Sequence, residues 1–211
     1  MKEIPILFNS EMVRAILDGR KTQTRRPLRQ QPDMEHTWRV LPGYKLNHIA
    51  LPTSDGLIAR FNHSYMHPRF GRTVSEYDPT VKSPFGKPED VLWVRERLYF
   101  DADKGWCYWA DESLVAGDYS SKRKSCPSIH MPKAACRTKL KVNRVWVEKV
   151  QDITTRGICA EGIKLPKNKS LSYLKKALLA QCKFSKLWKS CYPGSWERNN
   201  WVWCCEFEVM N

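Results

Sequence analysis

The sequence predicts an α+β fold built on a mainly antiparallel sheet. Three observations support this class: an amphipathic helix near the N-terminus, β-type segments between residues 91 and 148, and two helical segments followed by an aromatic strand at the C-terminal end. Segments that alternate apolar and polar residues bury one face of a sheet, which is typical of antiparallel arrangements. The order helix, irregular region, strands, helices, strand is compatible with a small barrel.

The first helix is predicted in "NSEMVRAILDG", residues 9–19. Asn9 or Ser10 is a suitable N-cap, and Gly19 is suited to a left-handed C-terminal end. Four apolar residues share one face at helical spacing: Met12, Val13, Ile16 and Leu17. The helix therefore anchors the basic segment "DGRKTQTRR", residues 18–26, at a fixed place beside the core.

Two long segments are predicted to be loops. Residues 27–83 are rich in proline and have poor periodicity, which indicates an insertion or an elaborated loop system. Within it, "HTWRVLPG" (36–43) and "DGLIARF" (55–61) are predicted to form short strands. Residues 112–128 are polar and basic and form the second predicted loop.

The strands of the main sheet follow. "VLWVRERLYF", residues 91–100, is apolar on both sides and predicts one well-buried strand. The charged residues Arg95 and Glu96 interrupt its apolar sequence. "WCYWAD", residues 106–111, is predicted to be the returning strand. Residues 138–148 alternate apolar and polar side chains and then change phase after Asn143, which predicts a long strand with a bulge.

Two helices and a final strand complete the prediction. "ITTRGICAEGI" predicts a short helix capped by Thr154 or Thr155. Residues 170–191 predict a longer helix, whose apolar face is expected to contain Leu171, Leu174, Leu178 and Cys182, with Leu187 and Trp188. Its lysines then lie mostly on the opposite face, and "NNWVWCCEFEV" is predicted to be the last strand.

The formal charge of +14 favours a polyanionic partner, because lysine and arginine neutralise phosphates and release counterions. The charge is concentrated in residues 14–29 and 164–189, so two basic patches are expected. A basic surface without a specific partner is the alternative interpretation.

The cysteines and the absence of targeting signals indicate a cytoplasmic protein with reduced thiols. Eight cysteines occur, but none of them forms a C-x-x-C pair or a zinc-finger spacing. The N-terminus does not have the pattern of a signal peptide, and no apolar run is long enough to span a membrane. We expect no cofactor, no metal and no membrane partner.

Several quoted segments together resemble the ASCH domain family, and most closely its longer phage- and prophage-encoded proteins. They are "ILDGRKTQTRR", "GKPEDVLWVRE", "HMPKAACRTKLKV", "VQDITTRGICAEGI" and "WVWCCEFEV". The ASCH fold is a β-barrel similar to the RNA-binding PUA domain. The resemblance implies a single domain over residues 1–211 with the insertion at about 27–83, in the cytosol of a bacterial host if the protein is phage-encoded.

The resemblance also implies a site. A small bacterial ASCH enzyme that removes the acetyl group from N4-acetylcytidine uses a Lys, a Thr three positions later and a Glu after the long strand. Lys21, Thr24 and Glu161 match these positions. The implied function is binding of RNA or a modified nucleoside with amide hydrolysis, in which Thr24 is a nucleophile, Lys21 its base and Glu161 the group that holds water or protonates the departing amine. Positions 21 and 24 of a regular strand face opposite sides, so the chain must turn or bulge between them.

Other reactions and other residues remain open. A ribonuclease that uses the same basic pocket and a non-catalytic RNA-binding or phage–host interaction module are the alternatives. Three arginines can hold an oxyanion or a phosphate: Arg20, Arg25 and Arg26. Further candidates for the substrate or nucleic-acid site are Arg95, Glu96, His130, Lys175 and Lys176; Arg95 with Glu96 is also interpreted as an internal ion pair.

Overall fold

The computed structural model describes residues 1–32, 45–54, 56–66, 69, 71–77, 80–101, 103–111, 124–166 and 170–210. The predicted strand at 36–43 lies outside these ranges, as does most of the predicted loop at 112–128. The fold class is confirmed as α+β with mostly antiparallel sheets. The elements in chain order are β1 Glu3–Leu7, α1 Ser10–Leu17, β2 Gln23–Pro27, β3 Lys45–Thr53, β4 Gly56–Met66, β5 Thr73–Tyr77, β6 Val81–Lys82, β7 Val91–Arg95, β8 Leu98–Asp101, β9 Gly105–Tyr108, β10 Lys124–Cys126, β11 Lys139–Lys149, α2 Thr155–Ala160, α3 Tyr173–Cys191 and β12 Trp201–Val209.

The central sheet has five strands in the order β1-β7-β11-β12-β2. The β1–β7 pair is parallel and the other three pairs are antiparallel. Within the described ranges the sheet ends at β1 and β2, so the structure shows an open sheet there and no closed barrel. The predicted bulge in β11 is confirmed, because its register with β12 shifts between Val142 and Arg144.

The predicted strand at 91–100 is split into two strands that belong to different sheets. β7 joins the central sheet, whereas β8 lies between β9 and β10 in a three-stranded antiparallel sheet. The break falls at Glu96, whose carboxylate binds Arg137 and whose backbone N–H donates to the sulfur of Met131. These two interactions replace strand pairing at this position, and the chain then leaves the central sheet.

The segment 27–83 contains more regular structure than the sequence predicts. Strands β3, β4 and β5 form an antiparallel sheet, with β6 paired to β4. Its buried residues Leu57, Ala59 and Phe61 belong to the same hydrophobic core as the central sheet. The prolines of this segment argue against strands in the sequence. In the structure, however, Pro52 lies within β3 and is paired with β4.

Both short helices follow the predicted capping. Asn9 accepts a hydrogen bond from the backbone of Met12 at 2.8 Å and begins α1. Thr154 accepts one from Gly157 at 3.1 Å and begins α2. In α1 the buried residues are Val13, Ala15 and Ile16, whereas Leu17 is exposed.

The predicted apolar face of α3 is correct for Trp188 and wrong for Leu174, Leu178 and Cys182. The helix buries Ala180, Phe184 and Trp188 against a second core under α2 and β12. Leu174, Leu178 and Cys182 are exposed. The helix carries two apolar stripes, and the stripe with two aromatic rings is buried because aromatic side chains remove more apolar area from water.

Candidate functional site

The segment after α1 is held in place by backbone hydrogen bonds. The N–H groups of Arg20 and Lys21 both donate to the carbonyl of Ala15 at 2.8 Å. Gly19 has a φ of +68°, which lets the chain turn back at the end of the helix. β2 begins at Gln23, so Lys21 lies between the end of α1 and the strand rather than within β2.

Lys21 and Glu161 are brought together across this turn. They form an isolated antiparallel β-bridge, and the Lys21 ammonium donates to the Glu161 carboxylate. The Lys21 Nζ also donates to the carbonyls of Gln23 at 2.9 Å and Glu161 at 3.2 Å. Burial lowers the pKa of Lys21, and the Glu161 charge opposes that shift.

Glu161 lies at the C-terminal end of α2 and accepts from two cations. Its Oε2 faces Lys21, and its Oε1 accepts from the Arg25 Nη1 at 3.2 Å. Gly162 follows with a φ of +96°, and a Cβ at this position would lie 2.9 Å from the Cβ of Ala15. The "A-E-G" sequence therefore allows the glutamate to approach α1 and the basic segment closely.

Arg25 connects Glu161 to the central sheet. Its Nε donates to the Glu148 Oε1 at 2.8 Å, and the Trp146 indole donates to the Glu148 Oε2 at 2.8 Å. Four charged side chains thus form one cluster, here called the buried ion cluster: Lys21, Arg25, Glu148 and Glu161. The two positive and two negative charges offset each other, which allows their burial.

Thr24 is buried but does not join the ion cluster. It pairs with Cys205 of β12, and successive side chains of a strand point to opposite faces, so Thr24 and Arg25 leave β2 on opposite sides. The Thr24 hydroxyl accepts from the Arg26 Nη1 at 3.3 Å. Among the described residues, no hydrogen bond joins Thr24 to Lys21 or Glu161.

A cavity of about 320 Å³ opens beside Glu161. Its lining includes three basic residues, Arg14, Arg20 and Lys164, and two acidic ones, Glu11 and Glu161. Met12, Ile163 and Leu187 give it an apolar part. Arg20 is fixed at this wall because its Nη1 donates to the Gly162 carbonyl at 2.9 Å. A mainly apolar wall with a few fixed polar groups is typical of small-molecule sites.

A second cavity of about 30 Å³ lies on the other side of Met12 and Leu187. Arg25, Arg26 and Glu161 contribute its polar groups, and α3 closes it with Phe184, Trp188 and Cys191, followed by Tyr192. The volume is sufficient for about one or two water molecules. Glu161 therefore lines both cavities, as do Met12 of α1 and Leu187 of α3.

Three other predicted site residues lie apart from the ion cluster. Arg95 donates to the Ile129 carbonyl and lies over the Trp93 ring at 5.4 Å. Glu96 is paired with Arg137 through two bonds of 2.9 Å, so the suggested pair of Arg95 with Glu96 is wrong. His130 is exposed in a short 3₁₀ helix, Ser128–His130.

Lys175 and Lys176 lie in the first turn of α3, where Ser172 caps the helix by accepting from the Lys175 backbone at 3.4 Å. Lys175 is exposed and Lys176 is half-buried. Neither residue lines either of the two cavities at Glu161. These lysines are thus part of the outer surface of α3.

The sequence analysis missed three contributors to the site. Glu148 was assigned only to a strand. Its carboxylate lies on the same face of β11 as Trp146, and a carboxylate on such a face indicates a nearby cation. Arg14 and Lys164 line the cavity, but only the packing of α1 against the segment after α2 brings them together. Neighbours so distant in the chain leave no periodic trace in the sequence.

Comparison of the chain with protein-family models, with curated proteins and with solved structures found no match. Within the described ranges, no group of three or more His, Cys, Asp or Glu side chains is arranged to hold a metal ion. No helix in that part of the chain is both long enough and apolar enough to cross a bilayer.

Proposed function

We propose that the protein is an ASCH-like hydrolase that removes the acetyl group from N4-acetylated cytidine, free or within RNA, in the cytoplasm. One observation carries the proposal: Glu161, fixed by Lys21 and Arg25, borders a cavity of about 320 Å³ that basic side chains surround. We also propose that the protein is related to PUA-like barrel proteins, and the sequence motifs support this relationship.

The size and polarity of the cavity suit a nucleoside. Its volume falls at the lower end of the roughly 300–1,000 Å³ range of small-molecule sites. The apolar side chains of Met12, Ile163 and Leu187 suit the flat face of a base. Arg14, Arg20 and Lys164 suit the ribose hydroxyls or an attached phosphate.

The proposed reaction consumes one water molecule. The Glu161 carboxylate takes a proton from the water as its oxygen bonds to the acetyl carbonyl carbon. The bond between that carbon and the exocyclic nitrogen then breaks, and the nitrogen receives the proton from Glu161. The products are acetate and cytidine. Lys21 and Arg25 hold the carboxylate in one orientation throughout.

In this proposal water replaces Thr24 as the nucleophile. Thr24 is 1% exposed, and its described hydrogen bond is with Arg26. A Thr24→Val substitution removes the hydroxyl and keeps the shape of the side chain. We expect it to retain most of the activity, whereas a nucleophilic Thr24 would make this variant inactive.

A second candidate function is RNA binding without catalysis. It is favoured by the formal charge of +14 and by the exposed lysines of α3, which suit phosphate contacts. Cleavage of RNA at the same basic site is the remaining alternative. Binding alone leaves the RNA and its acetyl groups unchanged, and cleavage shortens the RNA, whereas deacetylation removes the acetyl group and keeps the RNA length.

The test is incubation of the purified protein with total bacterial tRNA and, in parallel, with free N4-acetylcytidine. RNA length is read on a gel, and acetylated cytidine is measured by mass spectrometry after digestion. Glu161→Gln should lower the rate roughly 100-fold or more, the usual contribution of a general base. Lys21→Met should also lower the rate, because it removes a group that orients Glu161. Asp90→Asn is the matched control, because Asp90 is also a buried carboxylate but binds the backbone of Lys2 and Lys87.

Each outcome assigns a different function. Loss of the acetyl group from intact RNA or from the free nucleoside, sensitive to Glu161→Gln, supports deacetylation. Shortened RNA supports a ribonuclease. Unchanged RNA and nucleoside with measurable tRNA binding would contradict the hydrolase and support the binding module. Thermal melting of every variant confirms that it is folded.

A further inference from the structure

Helix α3 exposes an unusual amount of apolar surface. Four large side chains in its first two turns are exposed to solvent: Tyr173 (68%), Leu174 (78%), Leu178 (62%) and Leu179 (42%). Tyr173 lies two turns before Ala180, in line with the residues that pack into the core, whereas Leu178 and Leu179 are turned away from that line. Isolated exposed leucines are ordinary, but Leu174 and Leu178 are one turn apart and form a continuous apolar strip beside the lysines, which indicates an interaction surface.

The same helix is strongly basic. Residues 164–189 contain eight lysines and no Asp or Glu. Lys175, Lys183, Lys186 and Lys189 are exposed along α3, and only Lys189 has a described ion pair, with Glu197 at 2.7 Å. The partner of this face must therefore be anionic, and it must also cover leucine side chains.

Although the sequence predicts no membrane partner, we infer that the outer face of α3 binds the surface of an anionic lipid bilayer. A helix that presents apolar residues beside lysines lies in the plane of the interface, with its apolar side chains at the boundary between headgroups and acyl chains. The lysine stems extend along this boundary while their ammonium groups reach lipid phosphates. The formal charge of +14 adds long-range attraction to the same surface.

The charge and shape of this face argue against other occupants. Two copies of the chain would bring lysine-rich faces together, which repel each other. An RNA backbone would contact the lysines but would leave Leu174 and Leu178 in water. A bilayer accepts a convex helix face without a matching groove, and it supplies both anionic and apolar groups.

The experiment is flotation of the purified protein with vesicles, at an ionic strength of about 0.1 M, where exposed charges more than about 10 Å apart are largely screened. One set of vesicles contains phosphatidylcholine mixed with phosphatidylglycerol, and the other contains phosphatidylcholine alone. The protein should float only with the anionic vesicles. A variant with Leu174→Ser and Leu178→Ser should bind at least roughly tenfold more weakly, because two leucine side chains no longer leave water on binding.

Matched controls separate the apolar contribution from the charge. Leu17→Ser changes another exposed leucine, on α1, which is 49% exposed, and should leave vesicle binding unchanged. Lys183→Gln with Lys186→Gln should weaken binding, whereas Lys87→Gln with Lys104→Gln removes the same charge from surfaces outside α3 and should have a smaller effect. Circular dichroism checks that α3 remains helical in each variant.

The proposal is independent of the proposed enzyme activity, so deacetylation has no bearing on its outcome. Failure to float with anionic vesicles overturns it and leaves an acidic protein as the partner to be sought. Binding that depends on the lysines but not on Leu174 and Leu178 also overturns it, because such a surface is only a polyanion site, open to RNA as well.

Discussion

Glu161 is the residue on which the proposed chemistry depends most. The residue is 8% exposed, and its two carboxylate oxygens face Lys21 and Arg25. Removing one partner of a buried ion pair leaves an uncompensated charge and commonly costs about 3–5 kcal/mol. Lys21→Met is therefore expected to destabilise the protein as well as to inactivate it, and Glu161→Gln is the cleaner test of catalysis.

Gly162 should tolerate substitution less well than Gly19. Both have positive φ angles, but nothing lies within 4 Å of a Cβ placed on Gly19, whereas one placed on Gly162 would meet Ala15 and Lys21. Gly19→Ala should therefore cost only backbone strain, about 1–2 kcal/mol. Gly162→Ala should cost more and should lower activity, because it displaces Lys21. Urea unfolding measures both, and equal costs would contradict the close approach at Gly162.

Glu3 should contribute to stability in a pH-dependent way. Hydrogen bonds from Lys133 and from Lys139, the latter at 2.8 Å, lower the pKa of Glu3 from 4.5 to about 2. Between these values the unfolded chain binds the proton more readily than the folded protein does, so the contribution is present above pH 4.5 and is lost as the pH falls through about 2.

The urea midpoints of the native protein and of Glu3→Gln should therefore differ above pH 4.5 and converge towards pH 2. Lys139→Gln removes one of the two partners and should show a smaller change of the same sign. A difference that stays constant across this range would contradict the assigned ion pairs.

The site was only partly predictable at the scale of single residues. The motifs indicated Lys21 and Glu161, and the structure pairs them. Glu148 could not be assigned to Arg25 because the contact joins β2 to β11, which are far apart in the chain. Whether Thr24 lies on the same side of β2 as Lys21 was uncertain from sequence, since the strand could have begun at Lys21 rather than at Gln23.

At the scale of elements, the sheet of β3 to β6 is part of the core. Phe61 of β4 is fully buried and makes an edge contact with Trp201 of β12 at 5.1 Å. Phe61→Ala should therefore cost about 3–5 kcal/mol of unfolding free energy. Phe100→Ala is the matched control, because Phe100 is also on a strand but is 48% exposed, and about 1 kcal/mol is expected.

Equal effects of these two substitutions, or separate unfolding transitions for the two sheets, would contradict a shared core. Thermal and urea unfolding followed by tryptophan fluorescence make the comparison, since Trp201 lies beside Phe61.

Local signals predicted most elements, and long-range packing decided the others. Caps and turn glycines were sufficient for α1 and α2, and the change of phase was sufficient for the bulge in β11. The periodicity of α3 also placed Trp188 correctly on the buried side, but it did not select Ala180 and Phe184 over Leu174 and Leu178, because only packing against α2 and β12 decides between them. The break after β7 depended on Arg137, which is distant in the chain from Glu96.

At the scale of the whole molecule, the buried ion cluster joins the ends of α1 and α2 to strands β2 and β11 of the central sheet. The basic segment quoted in the sequence analysis is therefore not a solvated loop: Lys21, Thr24 and Arg25 are each buried. Exposed positive charge lies along α3 and also on other surfaces, for example at Lys87 and Lys104. The molecule thus separates a buried polar site from an outer basic surface.

The most direct test of the account is a crystal structure of the Glu161→Gln variant with N4-acetylcytidine. The substitution slows hydrolysis, so the intact ligand can be observed. The account expects the base in the cavity of about 320 Å³, in contact with Met12 and Leu187, with the acetyl carbonyl beside residue 161. An empty cavity at saturating ligand, or ligand bound elsewhere on the protein, would contradict the assignment of this cavity as the active site.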